Sequence, residues 1–381
     1  MSFNRNNNSP VKTAFQKSVL VSIFISRILL AAVFIFSGFV KAIDPLGFTY
    51  KIEDYLTAFG GIFASFTALA LPAAVALSTL ELLIGLNLLF RIHLRGTSFM
   101  ALAFMLVMTP LTLYIAIYNP VTDCGCFGDA LVISNWQTFY KNIVLLILVI
   151  VLLITTRGKR PVFLPRAEWI ITLVFIGIGV SLSLYSYNHL PLIDFRPYKV
   201  GVNIPEAMFV PEDAPADEYL TTFIYEKDGV QKEFTLENYP KDDSTWVFVD
   251  QKTALVSTGY KPPIHDFSIV DANFDDITED VIYNSGYTYL LIMYDVNKAS
   301  EEGAKQAEKM YQKYKHSTTR FYALTASGDD EVKKFKAKTG VTYPFCKTDP
   351  ITLKTIIRAN PGLVLIKNGT ITGKWHWRDI E

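Results

Sequence analysis

Two of the three cysteines in this 381-residue chain lie one residue apart, in Asp123-Cys124-Gly125-Cys126-Phe127-Gly128-Asp129. Thiols at that spacing can close a small-ring disulfide, which is strained and therefore easily reduced and strongly oxidising. The intervening glycine lets the backbone bend tightly enough for the sulfurs to meet. Two other readings stay open: an unreactive turn, and half of a zinc site, which needs two more ligands where no further His or Cys stands nearby. Three charged residues sit inside apolar runs, where an ionisable side chain is expensive: Arg27, Glu81 and Lys141. Arg27 and Glu81 each fall about nine residues from the same membrane face, about 13 Å deep at the helical rise per residue. An ion pair between the first two spans is expected, either setting helix register or forming a proton or ligand site near a bound quinone. Lys141, below Trp136, falls on the same side as the cysteine loop. There it either favours a thiolate or snorkels to the headgroups.

These residues need elements to hold them. Hydrophobic residues make up 50 % of the chain, too many for an ordinary soluble protein. Five runs are long enough to span a bilayer: Val19–Val40, Ile62–Phe90, Ser98–Tyr118, Trp136–Thr156 and Trp169–Tyr187. The first is too long for a signal peptide and carries Arg27, so it reads as an anchor. Kinks are expected at Pro72 and Pro110. Residues 1–200 hold 15 Lys and Arg against 8 Asp and Glu, and the remainder 21 against 28, so a basic membrane half precedes an acidic soluble half. No basic stripe in the soluble half points to nucleic acid. Basic residues before the first span, between the second and third, and between the fourth and fifth place the N-terminus in the cytoplasm. The Cys124 loop and the C-terminal domain then face the periplasm, a disulfide-permissive compartment, from a bacterial inner membrane.

The residues Arg27, Phe36-Ser37-Gly38-Phe39-Val40-Lys41-Ala42-Ile43-Asp44-Pro45, Glu81 with Gly85, Cys124-Gly125-Cys126-Phe127-Gly128, and Trp136 with Lys141-Asn142 resemble the DoxX-like/MauE membrane family. That family is similar to the four-helix bundle of vitamin K epoxide reductase-like proteins, and its MauE members are associated with maturation of a disulfide-rich periplasmic enzyme. The resemblance covers roughly residues 18–157 and implies thiol–disulfide or electron-transfer work at the outer membrane face. Cys124 and Cys126 would be the redox pair, with a membrane quinone held near Arg27, Glu81 and Lys141. A fifth span and a soluble domain depart from the pattern.

The soluble half reads as a linker, His189–Ile204, and then short strands at Tyr219–Tyr225, Val230–Leu236, Thr245–Asp250 and Ala254–Gly259. From Pro263 a β-α-β-α unit follows: Tyr287–Tyr294, Ser300–His316, Arg320–Thr325 and a helix capped by Ser327 with Asp330. Thr342–Cys346 and a hairpin turning at Asn368-Gly369 complete it. This pattern resembles the thioredoxin fold, with Asn360-Pro361 where that fold places its cis-proline. Where that fold carries Cys-x-x-Cys, this chain reads Asp295-Val296-Asn297-Lys298-Ala299-Ser300. Cys346 is either a relay thiol for the Cys124/Cys126 pair or a small buried strand residue. Trp375, His376 and Trp377 offer either a partner surface or a hairpin resting on its own domain.

The expected architecture is thus an all-α membrane bundle, a four-helix DoxX/MauE-like core plus a fifth helix, followed by a soluble α/β thioredoxin-like domain with a small β module. The expected units are 1–160, 161–205 (fifth helix and linker), 206–262 (β module) and 263–381. Two functions compete: a thiol–disulfide protein that acts on an extracytoplasmic client or partner, and a non-enzymatic membrane-anchored assembly factor. Transport through the bundle is disfavoured by the absence of a visible internal repeat.

Overall fold

The computed structural model describes residues 10–380 apart from 122, 157–161 and 242, with the backbone alone for 10–20 and 255. Six helices form the first half: α1 Pro10–Ile43, α2 Pro45–Phe59, α3 Ala70–Phe90, α4 Leu94–Tyr118, α5 Asn135–Thr155 and α6 Pro165–Asn188. Five stretches are long and apolar enough to cross a bilayer: Val21–Ile43, Gly61–Phe90, Leu94–Tyr118, Asn135–Thr155 and Pro165–Asn188. In the second of these, a 3-10 segment, Gly61–Leu69, leads into α3. Pro72 therefore stands in the first turn of α3, where its missing N–H breaks no helical bond, instead of kinking a longer helix. Pro110 does lie inside α4.

The antiparallel α1–α3 pair is the tightest in the bundle. A Cβ on Gly38 would sit 2.3 Å from the Leu82 backbone nitrogen, and one on Gly85 would sit 2.6 Å from that of Ile35. The two glycines let the backbones touch, and that contact sets the register. Leu30, Phe34, Ile84, Leu88, Met105, Leu145 and Val149 fill the space between α1, α3, α4 and α5. Helix α2 falls between the first two apolar runs. Asp44 caps it by accepting from the Gly47 N–H, and Pro45 opens it.

Three antiparallel strands, β1 Glu218–Lys227, β2 Val230–Thr235 and β3 Val247–Ser257, pair in the order β2-β1-β3. The expected strands at 245–250 and 254–259 are one continuous β3, whose pairing with β1 absorbs two register shifts. Before β1 comes a short helix, α7 Ile204–Met208.

The C-terminal unit runs α8 Thr278–Ile282, β4 Tyr287–Ile292, α9 Glu301–Tyr314, β5 Arg320–Thr325, α10 Asp329–Thr339, β6 Phe345–Lys347, α11 Pro350–Ile356, β7 Gly362–Lys367 and β8 Thr370–His376. Its sheet order is β6-β5-β4-β7-β8, with β4, β5 and β6 parallel and β7 and β8 antiparallel. That is the thioredoxin-like sheet, and the Asn360-Pro361 peptide just before β7 is cis. Both faces are covered, which is why the end of β4 runs into a continuous apolar stretch: Leu290 and Ile292 enter one core, Leu291 and the following Met293 the other. Helix α10 is capped one residue later than expected, Glu331 accepting from the Gly328 N–H. The stretch read as a linker is partly structural. Tyr198 and Ile204 join the first core, and the Gly201 N–H donates to the Ile371 carbonyl at the β8 edge. Trp377 packs on Gly303 of α9, and His376 is buried, so the C-terminal hairpin rests on its own domain.

Candidate functional site

The loop between α4 and α5 is pinned at every turn. Asn135 Nδ2 donates to Asn119 Oδ1 (2.8 Å) and to the Val121 carbonyl (3.0 Å), closing the loop ends. Asp123 accepts from the Gly125 N–H with one carboxylate oxygen (2.8 Å) and from Lys51 Nζ of α2 with the other (2.7 Å). Tyr55 of α2 donates to the Cys124 carbonyl at 2.7 Å. Gly125 has φ +64°, and a Cβ there would lie 3.1 Å from the Lys51 side chain, so the central glycine is required twice over. The outcome is that the Cys124 and Cys126 sulfurs lie 2.8 Å apart as free thiols, each under 9 % exposed.

Beneath the pair sits a line of polar groups that packing would otherwise exclude. Lys41 Nζ, in the last turn of α1, donates to both oxygens of Glu81 at 2.7 and 3.0 Å. Ser37 Oγ, one turn earlier, lies 2.5 Å from Glu81 and 2.7 Å from the Cys126 carbonyl; its single proton serves one of them at a time. Lys141 Nζ lies 4.3 Å above the Phe127 ring. Cys126, Ser37, Lys41, Glu81, Lys141 and Asn142 share one small cavity.

This surrounding splits the two thiols. The Cys124 hydrogen bond is the main cause that pulls the Cys126 thiol down to about 6, with Lys141 and Lys41 adding to it against the opposing effect of burial. Cys124 moves far the other way, because it holds the shared proton and is buried. Cys126 is thus the thiol that gives up its proton more readily, and Cys124 the one that keeps the shared proton.

The expected Arg27–Glu81 ion pair is not formed. Arg27 Nη1 donates to the Leu88 and Leu89 carbonyls at 2.9 and 2.8 Å, at the C-terminal end of α3. The glycine-set register places Glu81 opposite Ser37 and Lys41 and places Arg27 two turns away. Lys41 lies one residue beyond the apolar run that ends at Val40. The helix continues to Ile43, and the Glu81 carboxylate supports a buried ammonium there. The three residues assigned to a quinone are thus divided. Arg27 is at the far end of α3, and the cavity shared by Glu81 and Lys141 is about 30 Å³. That is room for water and does not fit a quinone ring.

Above the loop lies the C-terminal domain. Arg358, in the segment leading to the cis-proline, is buried and bonds Asp44 through Nε (3.0 and 3.1 Å) and Asp129 through Nη2 (2.9 Å). The Tyr50 ring of α2 meets Tyr294, just past β4, with centroids 6.4 Å apart. Between the two units is a cleft of about 320 Å³ lined by Gly125, Gly128, Lys51, Tyr50, Lys354 and Arg358. Sequence reasoning missed Lys41, Ser37, Tyr55 and Arg358. Lys41 and Ser37 had a signal, being one turn apart beside Glu81's helix; Arg358 had none.

Cys346 lies in β6 beside Leu324, inside the first core, with burial first and Asp271 second pushing its thiol up to about 11. After β4, Asp295–Ser300 carries no thiol, and Ser300 caps α9.

Residues 19–155 match the family described as methylamine utilisation protein MauE, and residues 219–258 match a domain of unknown function. No curated protein matches the chain. A solved structure, that of a candidate protein disulfide isomerase from Bacteroides thetaiotaomicron, is similar at 20 % identity and a TM-score of 0.25, over 29 % of this chain and 75 % of that one.

Proposed function

We propose that this chain is a cell-envelope membrane protein of thiol–disulfide exchange. In this reading Cys124 and Cys126 cycle between dithiol and disulfide, and the thioredoxin-like domain presents an extracytoplasmic protein partner to them. The observation that carries the reading is the paired sulfurs, 2.8 Å apart, with Lys141 beside Cys126 and with Arg358 of the C-terminal domain tied to the same loop. A thiolate of the partner attacks one sulfur of the loop disulfide, and the other leaves as a thiolate. The partner's second thiolate then displaces the first sulfur. Two electrons pass from the partner dithiol to the loop and the S–S bond moves to the partner; of the two protons the partner thiols give up, one ends on Cys124 and the other is released to solvent, which leaves the loop as the Cys126 thiolate and Cys124 thiol. Strain in so small a ring favours this oxidising direction. The MauE match over both cysteines supports redox or maturation work without implying methylamine as a substrate. The distribution of basic residues supports an inner-membrane orientation with the N-terminus cytoplasmic and the loop periplasmic.

The test is to trap the thiols of Cys124 and Cys126 with a mass tag in intact cells, with and without added reductant. A pair that shifts reversibly supports exchange. A pair locked in one state at all times overturns it. A second reading, a non-enzymatic assembly factor with the loop as a staple, draws on the absence of a thiol at Asp295–Ser300. A stable partner complex that survives loss of all three thiols would favour it.

A further inference from the structure

At the end of the bundle away from the cysteine loop, a cavity of about 430 Å³ opens between the α3–α4 turn, the end of α5 and the start of α6. Its wall holds buried polar atoms with no partner among the described residues: Asn87 Oδ1, Glu168 Oε1, Thr172 Oγ1 and His93 Nε2. Asn87 and Glu168 are each 3 % exposed and Thr172 is 7 % exposed. The second Glu168 oxygen is already used, accepting from the His93 backbone N–H (3.2 Å) and lying 3.1 Å from His93 Nδ1. The turn that brings His93 there holds two non-glycine residues in the left-handed region, Arg91 (φ +60°) and His93 (φ +43°). A backbone kept in that region is over-determined by its surroundings. Arg91 and Arg95 stand exposed at the rim, and Met100, Val162 and Trp169 give the cavity an exposed apolar flank.

We propose that this cavity binds the headgroup of a phospholipid carrying a primary ammonium. The unpartnered atoms at depth are mainly acceptors, one of them on a carboxylate, so they call for a cationic donor. An ammonium offers three N–H groups and no acceptor. The rim arginines match the phosphate that such a headgroup carries next to its amine. The apolar flank matches acyl chains entering from the bilayer side. A choline headgroup has the charge but no N–H and leaves Glu168 Oε1 without a donor; a glycerol headgroup can donate a hydroxyl but brings no positive charge to the carboxylate.

The test is lipid retention by the full-length protein in detergent, read by native mass spectrometry with phosphatidylethanolamine, phosphatidylcholine and phosphatidylglycerol offered in equal amounts. Retention of phosphatidylethanolamine roughly tenfold above phosphatidylcholine is expected, the scale of one charge-assisted hydrogen bond. Glu168→Gln should erase that preference. Should that variant fail to fold, Arg91→Gln with Arg95→Gln, on the exposed rim, should lower retention of both phosphatidylethanolamine and phosphatidylglycerol. Equal retention of the ethanolamine and choline lipids by the wild type, or unchanged retention in the variants, would overturn the site. Displacement of the lipid by an equal concentration of soluble phosphoethanolamine would overturn its assignment to a lipid.

Discussion

Replacing Lys141 by Met keeps the length and the contact with Phe127 but removes the cation beside the Cys126 sulfur. Cys126 lies at about 6. A free thiol lies at about 8.5, so the depression is worth about 3 kcal/mol. The hydrogen bond from Cys124 is the largest part, and Lys141 precedes Lys41 among the cations. Loss of one nearby cation raises a thiol midpoint by on the order of one unit, about 1.4 kcal/mol, which moves it up to about 7. At pH 6 the thiolate share then falls from about one half to about one tenth, so attack on a small uncharged disulfide slows about fivefold, while at pH 8 the change is under about twofold. The assay is the pH dependence of that rate on reduced, detergent-purified protein, with Lys141→Arg as the charge-retaining control. A midpoint unmoved in Lys141→Met would refute the role assigned to Lys141 and leave the thiol–thiol bond and Lys41 to account for the thiolate.

Breaking the buried Lys41–Glu81 pair from one side, by Lys41→Met or Glu81→Leu, should destabilise the bundle by about 3–5 kcal/mol, while the double apolar variant should recover most of the loss, as read by thermal unfolding in detergent. Arg358→Gln should loosen the C-terminal domain from the loop by roughly 2 kcal/mol, seen as faster amide exchange across residues 123–129 with the sheet of the domain unchanged. Cys346→Ala should leave the redox behaviour of the loop intact and cost about 1 kcal/mol of stability to chemical denaturation, because it removes a packed sulfur from the core; loss of loop oxidation in that variant would restore the relay role.

The five spans, the thioredoxin-like order of elements and the pairing of Cys124 with Cys126 were legible in the sequence because each rests on a local pattern. A span needs only length and apolarity, the central strands show as continuous apolar runs, and Cys124 and Cys126 are neighbours whose spacing does not depend on the rest of the fold. Lys141 was legible for a similar reason, since helical rise places it below Trp136 on the loop side. What the sequence could not supply was register between helices. Arg27 and Glu81 match in distance from the span ends, yet the close contacts at Gly38 and Gly85 slide α1 along α3 until Glu81 meets Lys41. Depth counting measures position along one axis, whereas packing of two surfaces decides which side chains meet. The same holds for Arg358, which is 314 residues from Asp44. Only the docking of one unit on the other brings that guanidinium to Asp44 and Asp129, because a long-range ion pair leaves no periodic trace in the chain.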